Sequence, residues 1–269
     1  MKNSLKLGLY VATALSILIG GCKKKPKDDL KPIANCETTY QGYYGDAPAT
    51  NESVTASYQD GQIKSLNYSS AIINYEYAAN VVTLSYAGSV LYRIETSDNL
   101  ARKIIDLKSQ LEERMSYDGN RNLIKIETYF NNALSDTKTL TYANGNLITL
   151  TQTFTDSPNA KRVTNYTYSS EIASKVDVEN RHLLFHIADL YIPSFLIGNN
   201  SRNILTGSHY NNTSGDFRSD ITTDYTYSKN SAGVINKIIE NTHTVTVSNG
   251  IKTQDEQLKQ TILVNTNCN

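Results

Sequence analysis

Short stretches of alternating apolar and polar residues, separated by turn-forming residues, recur along most of this chain. Residues 139–142 alternate in this way, so Leu140 and Tyr142 are predicted to share one face of a strand. After the turn, the same alternation predicts that Leu147 and Leu150 lie on opposite faces. Other stretches rich in Thr, Tyr and Val have the composition that strands prefer: 164–168, 222–227 and 242–247. The pattern predicts a mainly β protein.

A larger unit repeats as well: a tyrosine, a turn with glycine or asparagine, and a returning apolar stretch. The tyrosines of this unit are Tyr58, Tyr86, Tyr117, Tyr142, Tyr168 and Tyr227. Asp-Gly and Asn-Gly turns supply the positive φ angles that tight hairpins need. We therefore predict a curved antiparallel meander of roughly ten or more strands, because large twisted sheets curl. The meander either stays an open sheet or closes part of the way into a half-open barrel.

Residues 100–115 admit two interpretations. Leu100, Ile104, Leu107, Leu111 and Met115 follow one another at helical spacing. The hairpin repeat, however, needs two strands and a turn between Tyr86 and Tyr117. We favour strands.

Residues 179–192 are the best helix prediction, as an insertion within the longest gap of the repeat. Its apolar stripe consists of Leu183, Leu184, Ile187, Leu190 and Tyr191, and Pro193 ends it. His182 and His186 stand four residues apart on this helix, which makes them weak candidates for metal ligands. No glutamate neighbours His182 and no third histidine ligand is evident, so an amphipathic helix without metal is the favoured interpretation.

The N-terminus carries Lys2 and Lys6, an apolar run over 7–19, and then Leu18-Ile19-Gly20-Gly21-Cys22. This arrangement resembles a bacterial lipoprotein signal, in which the cysteine is acylated and becomes the mature N-terminus. The resemblance implies a signal peptide over 1–21, a lipid on Cys22 and a lysine-rich tether over 22–35. The alternative is an N-terminal anchor that stays on the chain, although the run is short for a helix that spans a bilayer.

With Cys22 carrying lipid, Cys36 and Cys268 remain, at the two ends of a single predicted domain over 36–269. Outside the cytoplasm disulfides persist, and domain termini often lie close together. We predict a Cys36–Cys268 disulfide. Two free thiols, or a bond to another molecule, are the alternatives.

Charge excludes one class of partner. Removing 1–21 takes away Lys2 and Lys6, which leaves 24 of the 26 basic residues against 26 acidic ones. That balance argues against nucleic acid as a partner. No cofactor is predicted, because the repeats contain no cofactor-binding motif.

The segment Tyr117-Asp118-Gly119-Asn120-Arg121-Asn122-Leu123 resembles the YD-type repeat of bacterial Rhs-like and teneurin-like proteins. The array as a whole, together with the segment 195–204, is more similar to the YD-like hairpins of uncharacterised Bacteroidetes lipoproteins. This resemblance implies an outer-membrane lipoprotein that faces the periplasm or the cell surface. It implies no activity, because that family has none established.

The predicted function is a non-enzymatic binding module. Tyr75-x-Tyr77, Tyr166-x-Tyr168 and Tyr225-x-Tyr227 would each place two phenol rings on one face, so the concave side of the sheet could hold an apolar or glycan ligand. The alternative is a structural or adhesive module that contacts another envelope protein. A hydrolase is less favoured, because Ser201 lacks a G-x-S-x-G context and no other catalytic motif is present.

Overall fold

A computed structural model describes residues 36–44, 52–60, 62–68, 71–173, 196–199, 201–231 and 233–268. These residues belong to one compact unit, Pro32–Asn269. The predicted helix over 179–192 lies outside the described residues, as do His182, His186 and Cys22. In the described ranges, no helix has the length and apolar character needed to cross a membrane.

Sixteen β-strands make up the described fold. They are β1 (Cys36–Tyr44), β2 (Glu52–Gln59), β3 (Gln62–Tyr68), β4 (Ala71–Ala78), β5 (Val81–Tyr86), β6 (Ser89–Ser97), β7 (Leu100–Asp106), β8 (Leu111–Tyr117), β9 (Leu123–Phe130), β10 (Ala133–Ala143), β11 (Asn146–Phe154), β12 (Lys161–Ile172), β13 (Asn203–Ser214), β14 (Phe217–Lys229), β15 (Ile235–Ser248) and β16 (Ile251–Cys268).

The strands form a closed antiparallel barrel in which each strand pairs with its neighbours in sequence. The ring closes where β1 pairs with β16, in a register that runs from Cys36 opposite Cys268 to Tyr44 opposite Gln260. The mainly β meander is confirmed. The barrel is fully closed and not half-open, because this seam leaves no open edge between the first and last strands.

The barrel has two different rims. The turns after the even-numbered strands form one rim, where Tyr117 and Tyr142 lie at or next to strand ends; we call it the tyrosine rim. The turns after the odd-numbered strands form the other, where Phe130, Phe154 and Phe217 each occupy the strand position next to a turn. We call it the phenylalanine rim. The chain enters β1 and leaves β16 at the tyrosine rim.

The inside of the barrel is mainly apolar, and its outer wall is charged over β6 to β9. Inward residues such as Ile63, Leu66, Ile94, Leu123 and Ile126 are almost completely buried. Outward residues on β6 to β9 form a lattice of ion pairs: Arg93, Glu95, Lys103, Glu112, Arg114, Lys125 and Glu127. A barrel that spans a bilayer has the opposite arrangement, with an apolar band facing the lipid.

β-Bulges next to the repeated tyrosines set the spacing of buried residues. The register shifts between Thr141 and Tyr142, so that Tyr142 lies opposite Leu147 and Thr141 lies opposite Thr149. Ile148 is the extra residue and is exposed, while Leu147 and Leu150 are both buried. The prediction that Leu147 and Leu150 lie on opposite faces was therefore wrong, because strict alternation does not continue through a bulge.

Residues 100–115 are strands, as we favoured: they belong to β7 and β8. The helical spacing has a physical explanation. Another bulge shifts the register between Glu95 and Thr96, so β7 buries Leu100, Ala101 and Ile104, the first two standing four and three residues before the third. Leu107 of the predicted stripe is exposed in the turn after β7. A spacing of three is uncommon in a regular strand and common in a helix.

Candidate functional site

The repeated tyrosines hold neighbouring hairpins together. Four hydroxyl groups each donate a hydrogen bond to a backbone carbonyl at the start of an earlier strand: Tyr77 to Ile63 (2.9 Å), Tyr117 to Ala101 (2.9 Å), Tyr142 to Leu123 (3.0 Å) and Tyr168 to Leu147 (2.8 Å). Burial raises the pKa of the Tyr77, Tyr117 and Tyr142 hydroxyls, so each stays a donor at physiological pH. We call these four contacts the tyrosine latches.

The latches change the interpretation of the tyrosine-rich face. The three Tyr-x-Tyr pairs were predicted to line a ligand-binding face. Their first members, Tyr75, Tyr166 and Tyr225, instead pack on or within the apolar core of the barrel. Of the repeat tyrosines, Tyr86 is the one that does not pack against this core. Its hairpin is confirmed but lies at the phenylalanine rim, and Tyr77 makes the latch in its place. These rings are part of the core, so the polar groups deeper along the inner wall are the better candidates for a site.

Residues 196–199 and 201–203 pack on the tyrosine rim. Leu196 and Ile197 are buried in the core, and the Leu196 carbonyl accepts a hydrogen bond from the Tyr117 hydroxyl at 3.3 Å. The Ser201 hydroxyl lies 2.9 Å from the Tyr168 hydroxyl and accepts from the Leu147 amide. This segment therefore covers one side of the tyrosine rim and ties three hairpins to one another.

Asn199 fixes this segment to the turn between β8 and β9. Its amide donates to the carbonyl of Asn120 at 2.5 Å and to the side chain of Asn122 at 3.1 Å. Asp118 accepts bonds from the backbone and side chain of Asn122, which lowers the pKa of its carboxyl group. The Tyr117–Leu123 motif is thus a turn closed by its own side chains and a dock for the crossing segment.

Gly198 allows this close approach, and replacing it is expected to be costly. Its φ is +95°, and an added Cβ would lie 2.2 Å from the Arg121 carbonyl oxygen. We expect Gly198→Ala to lower the free energy of unfolding by about 2–3 kcal/mol, through strain and backbone contact together. Gly233→Ala is the matched control: φ is +78° with open space around the position, so about 1 kcal/mol is expected. Urea unfolding measures both; equal losses would contradict the clash.

A belt of polar side chains crosses the inner wall of β8 to β12. We call it the polar cluster: Glu113, Thr128, Asp136, Lys138, Gln152 and Arg162. Its members lie opposite one another on successive strands. Glu113 is opposite Thr128, Thr128 is opposite Asp136, Lys138 is opposite Gln152, and Gln152 is opposite Arg162. Directly opposed residues of antiparallel strands share a face, so the register alone brings these groups together. All but Arg162 are buried.

Hydrogen bonds connect most of the cluster. Lys138 Nζ reaches across β9 to Glu113 Oε1 at 2.9 Å. Gln152 Nε2 donates to Asp136 Oδ1 at 2.8 Å, and Arg162 donates to Gln152 Oε1 at 3.4 Å. The Arg162 guanidinium stacks over the Phe154 ring, 4.8 Å from its centre. Two carboxylates and two cations leave the cluster with no net charge.

The bonding of the polar cluster is incomplete. Among the described residues, three buried side-chain atoms have no hydrogen-bond partner, and all three belong to it: Glu113 Oε2, Thr128 Oγ1 and Arg162 Nε. Unpaired buried polar atoms are costly and rare in folded proteins. The groups left without a partner are therefore an acceptor on Glu113, a donor on Arg162, and a hydroxyl on Thr128 that can serve as either.

The other predicted site residues have separate outcomes. Cys36 and Cys268 are brought opposite each other by the seam register, although nothing tests whether they bond. In the ranges that the structure describes, no three His, Cys, Asp or Glu side chains converge as metal ligands. The lipid on Cys22 and the metal at His182 and His186 stay predictions.

The polar cluster was not predicted from the sequence, although the sequence contains one signal of it. Leu140 and Tyr142 were assigned to one face, and the same alternation continued backwards reaches Lys138 and Asp136. Charged residues at inward positions of a strand are a warning of a buried polar site. The face was assigned correctly but not followed far enough.

No family model matches this chain. A search of curated proteins also finds no match. Among solved structures, the chain is similar to a porin-like protein from Bacteroides uniformis (TM-score 0.58, 17% identity), covering 86% of this chain and 97% of that one. It is also similar to a porin-like protein from Bacteroides vulgatus (TM-score 0.51, 12% identity), covering 85% and 97%. At these identities the likeness establishes a shared barrel fold.

Proposed function

We propose that this protein is a lipid-anchored, non-enzymatic binding protein of the bacterial envelope, whose barrel stands outside the bilayer. The signal-like segment that ends at Cys22 supports the anchor, and the fold shared with porin-like proteins of Bacteroides supports the compartment. The charged wall over β6 to β9 supports a barrel in water. A lysine or arginine facing lipid at the bilayer midplane costs about 2–4 kcal/mol, and four such residues lie on this wall.

The ligand we propose is a hydroxyl-rich glycan, bound at the polar cluster. The observation that carries this assignment is the set of unpaired atoms on Glu113, Thr128 and Arg162. A sugar hydroxyl both donates and accepts, so one kind of group can satisfy an acceptor and a donor. The absence of net charge in the cluster favours a neutral ligand over an anion or a cation. Arg162 is the most exposed member and lies next to the phenylalanine rim, which gives the side of approach.

Thr128→Val tests the ligand. The variant removes the unpaired hydroxyl at constant volume, so without ligand we expect stability to stay the same or to rise slightly. A panel of neutral and acidic oligosaccharides is screened by thermal shift. At least one neutral oligosaccharide should stabilise the wild type and stabilise Thr128→Val less. The control is Thr139→Val, on the exposed face of β10, which should bind like the wild type. If no oligosaccharide stabilises the wild type, the glycan assignment is wrong.

Cys22→Ser tests the anchor separately. The wild type should partition with membranes and carry acyl chains on its N-terminal peptide, as seen by mass spectrometry. The variant should appear in the soluble envelope fraction. Equal partitioning of the two proteins into membranes would contradict lipid anchoring through Cys22.

A further inference from the structure

Exposed apolar residues concentrate at the phenylalanine rim. Of the thirteen large apolar side chains that are exposed in the described ranges, eight lie in or next to its turns: Ile72, Tyr86, Val90, Leu107, Phe130, Leu134, Phe217 and Ile251. Phe130 is 52% exposed and Ile251 is 68% exposed. They come from six different hairpins, so the apolar character is a property of the rim and not of one loop.

The tyrosine rim is polar by comparison. Only Ile124, Ile148 and Ile172 of the thirteen exposed apolar residues lie near its turns, and Leu196 and Ile197, which pack on this rim, are buried. The barrel is therefore asymmetric along its axis. Exposed apolar side chains that concentrate at one end of a barrel mark a surface that contacts something else.

A lipid surface is the occupant that the chain itself would bring close. Thirteen residues, 23–35, separate Cys22 from β1. That length of extended chain spans about 45 Å. The strand β9 spans about 26 Å, whereas β16, which pairs with β1 and carries Ile251 at its far end, spans about 60 Å along the strand and about 45 Å along the barrel axis at a tilt of about 40°. Acyl chains on Cys22 would thus let either rim reach the bilayer. Tethering also raises the effective concentration of lipid at the barrel, so weak apolar contacts are sufficient.

We propose that the phenylalanine rim rests on the lipid surface to which the protein is anchored, with Phe130, Phe217 and Ile251 in contact with the headgroup and acyl boundary. This inference rests on the lipid anchor in the proposed function. The rim carries both cations and anions, among them Lys108, Lys161, Asp156 and Asp216, so the contact is apolar and does not depend on anionic lipid. The glycan site then opens toward the membrane surface.

Single tryptophans test the orientation, because the chain has none of its own. Phe130→Trp and Ile251→Trp report the phenylalanine rim. Ile172→Trp is the matched control, since Ile172 is 62% exposed at the tyrosine-rim end of β12. Each lipidated full-length variant is reconstituted into vesicles of phosphatidylethanolamine and phosphatidylglycerol with brominated acyl chains. We expect a blue shift and loss of emission for F130W and I251W, and neither for I172W.

Each other outcome overturns the inference in a distinguishable way. Quenching of I172W alone would place the tyrosine rim on the lipid. No quenching in a protein whose N-terminal peptide carries acyl chains would leave the anchor intact and reject the rim contact. A blue shift of F130W that depends on protein concentration without vesicles would assign the rim to a second copy of the chain. If Cys22 carries no lipid, the anchor fails; unlipidated F130W is then added to the same vesicles, and unchanged emission rejects the rim contact too.

Discussion

Cys36→Ser and Cys268→Ser are each expected to lower the free energy of unfolding by about 5 kcal/mol, since a disulfide here would close almost the whole folded chain into a loop. The two residues are cross-strand partners at the end of the β1–β16 seam. Directly opposed residues in antiparallel strands have Cα atoms about 4.5–5.5 Å apart, within the range that disulfides occupy. Reduction of the wild type should have the same effect. The reference protein and both variants carry Cys22→Ser, so that only Cys36 and Cys268 can react.

The neighbouring seam position is a matched control. Thr38 lies opposite Thr266, and their hydroxyl oxygens are 3.2 Å apart. Thr266→Ala removes that hydrogen bond from the same seam and should cost about 1 kcal/mol, with no response to reductant. Mass spectrometry of the unreduced protein gives a direct test. Two thiols that can be alkylated without reduction would rule the bond out.

The second large effect is expected at the polar cluster. Lys138→Met should lower the free energy of unfolding by about 3–5 kcal/mol, because it leaves the Glu113 carboxylate buried without its cation. Urea unfolding at neutral pH measures the loss. Lys125→Met on the outer wall removes a comparable 3.0 Å pair with Glu127 in an exposed position, and should cost less than about 1 kcal/mol.

A double variant separates an uncompensated charge from lost packing. Glu113→Leu combined with Lys138→Met replaces both ions with apolar groups, and should recover most of the stability lost in the single variant. If the double variant is as unstable as the sum of its single variants, the two side chains do not act as a pair. If the double variant is stable but no longer binds the glycan, the charged pair is needed for binding and not for folding.

The strands and turns could be predicted from the sequence, because both depend on nearby residues. Alternation placed Leu140 and Tyr142 on one face, and positive φ angles occur at turn residues such as Asp60 and Asn144. The β-bulges could not be predicted from local alternation. Each moves one residue out of the pattern, so Leu147 and Leu150 are both buried and the helical spacing over 100–115 arises within two strands. A period analysis cannot separate a bulged strand from a helix over so few residues.

Closure of the barrel and the polar cluster depend on contacts between distant residues. No alternation pattern in β1 or β16 shows that they pair, although the predicted Cys36–Cys268 disulfide brings their ends together. Lys138 meets Glu113 only by reaching across an intervening strand. The sequence 195–204 resembles a recurrent lipoprotein segment, yet the position of its described residues on the tyrosine rim follows from bonds such as the one between Asn199 and Asn120. Long-range pairing of this kind leaves little trace in a single sequence.

The seam between β1 and β16 also has a consequence for biogenesis. The tyrosine latches join hairpins that are close in sequence, so most of the sheet can form before the C-terminal strands have been released. The first strand must nevertheless wait for the last, because its partner on that side is at the C-terminal end of the chain. Non-local pairing of this kind is slow, and an open sheet edge invites wrong partners in the meantime. Chains truncated before β16 should therefore be bound by chaperones or degraded, even when every hairpin they contain is intact.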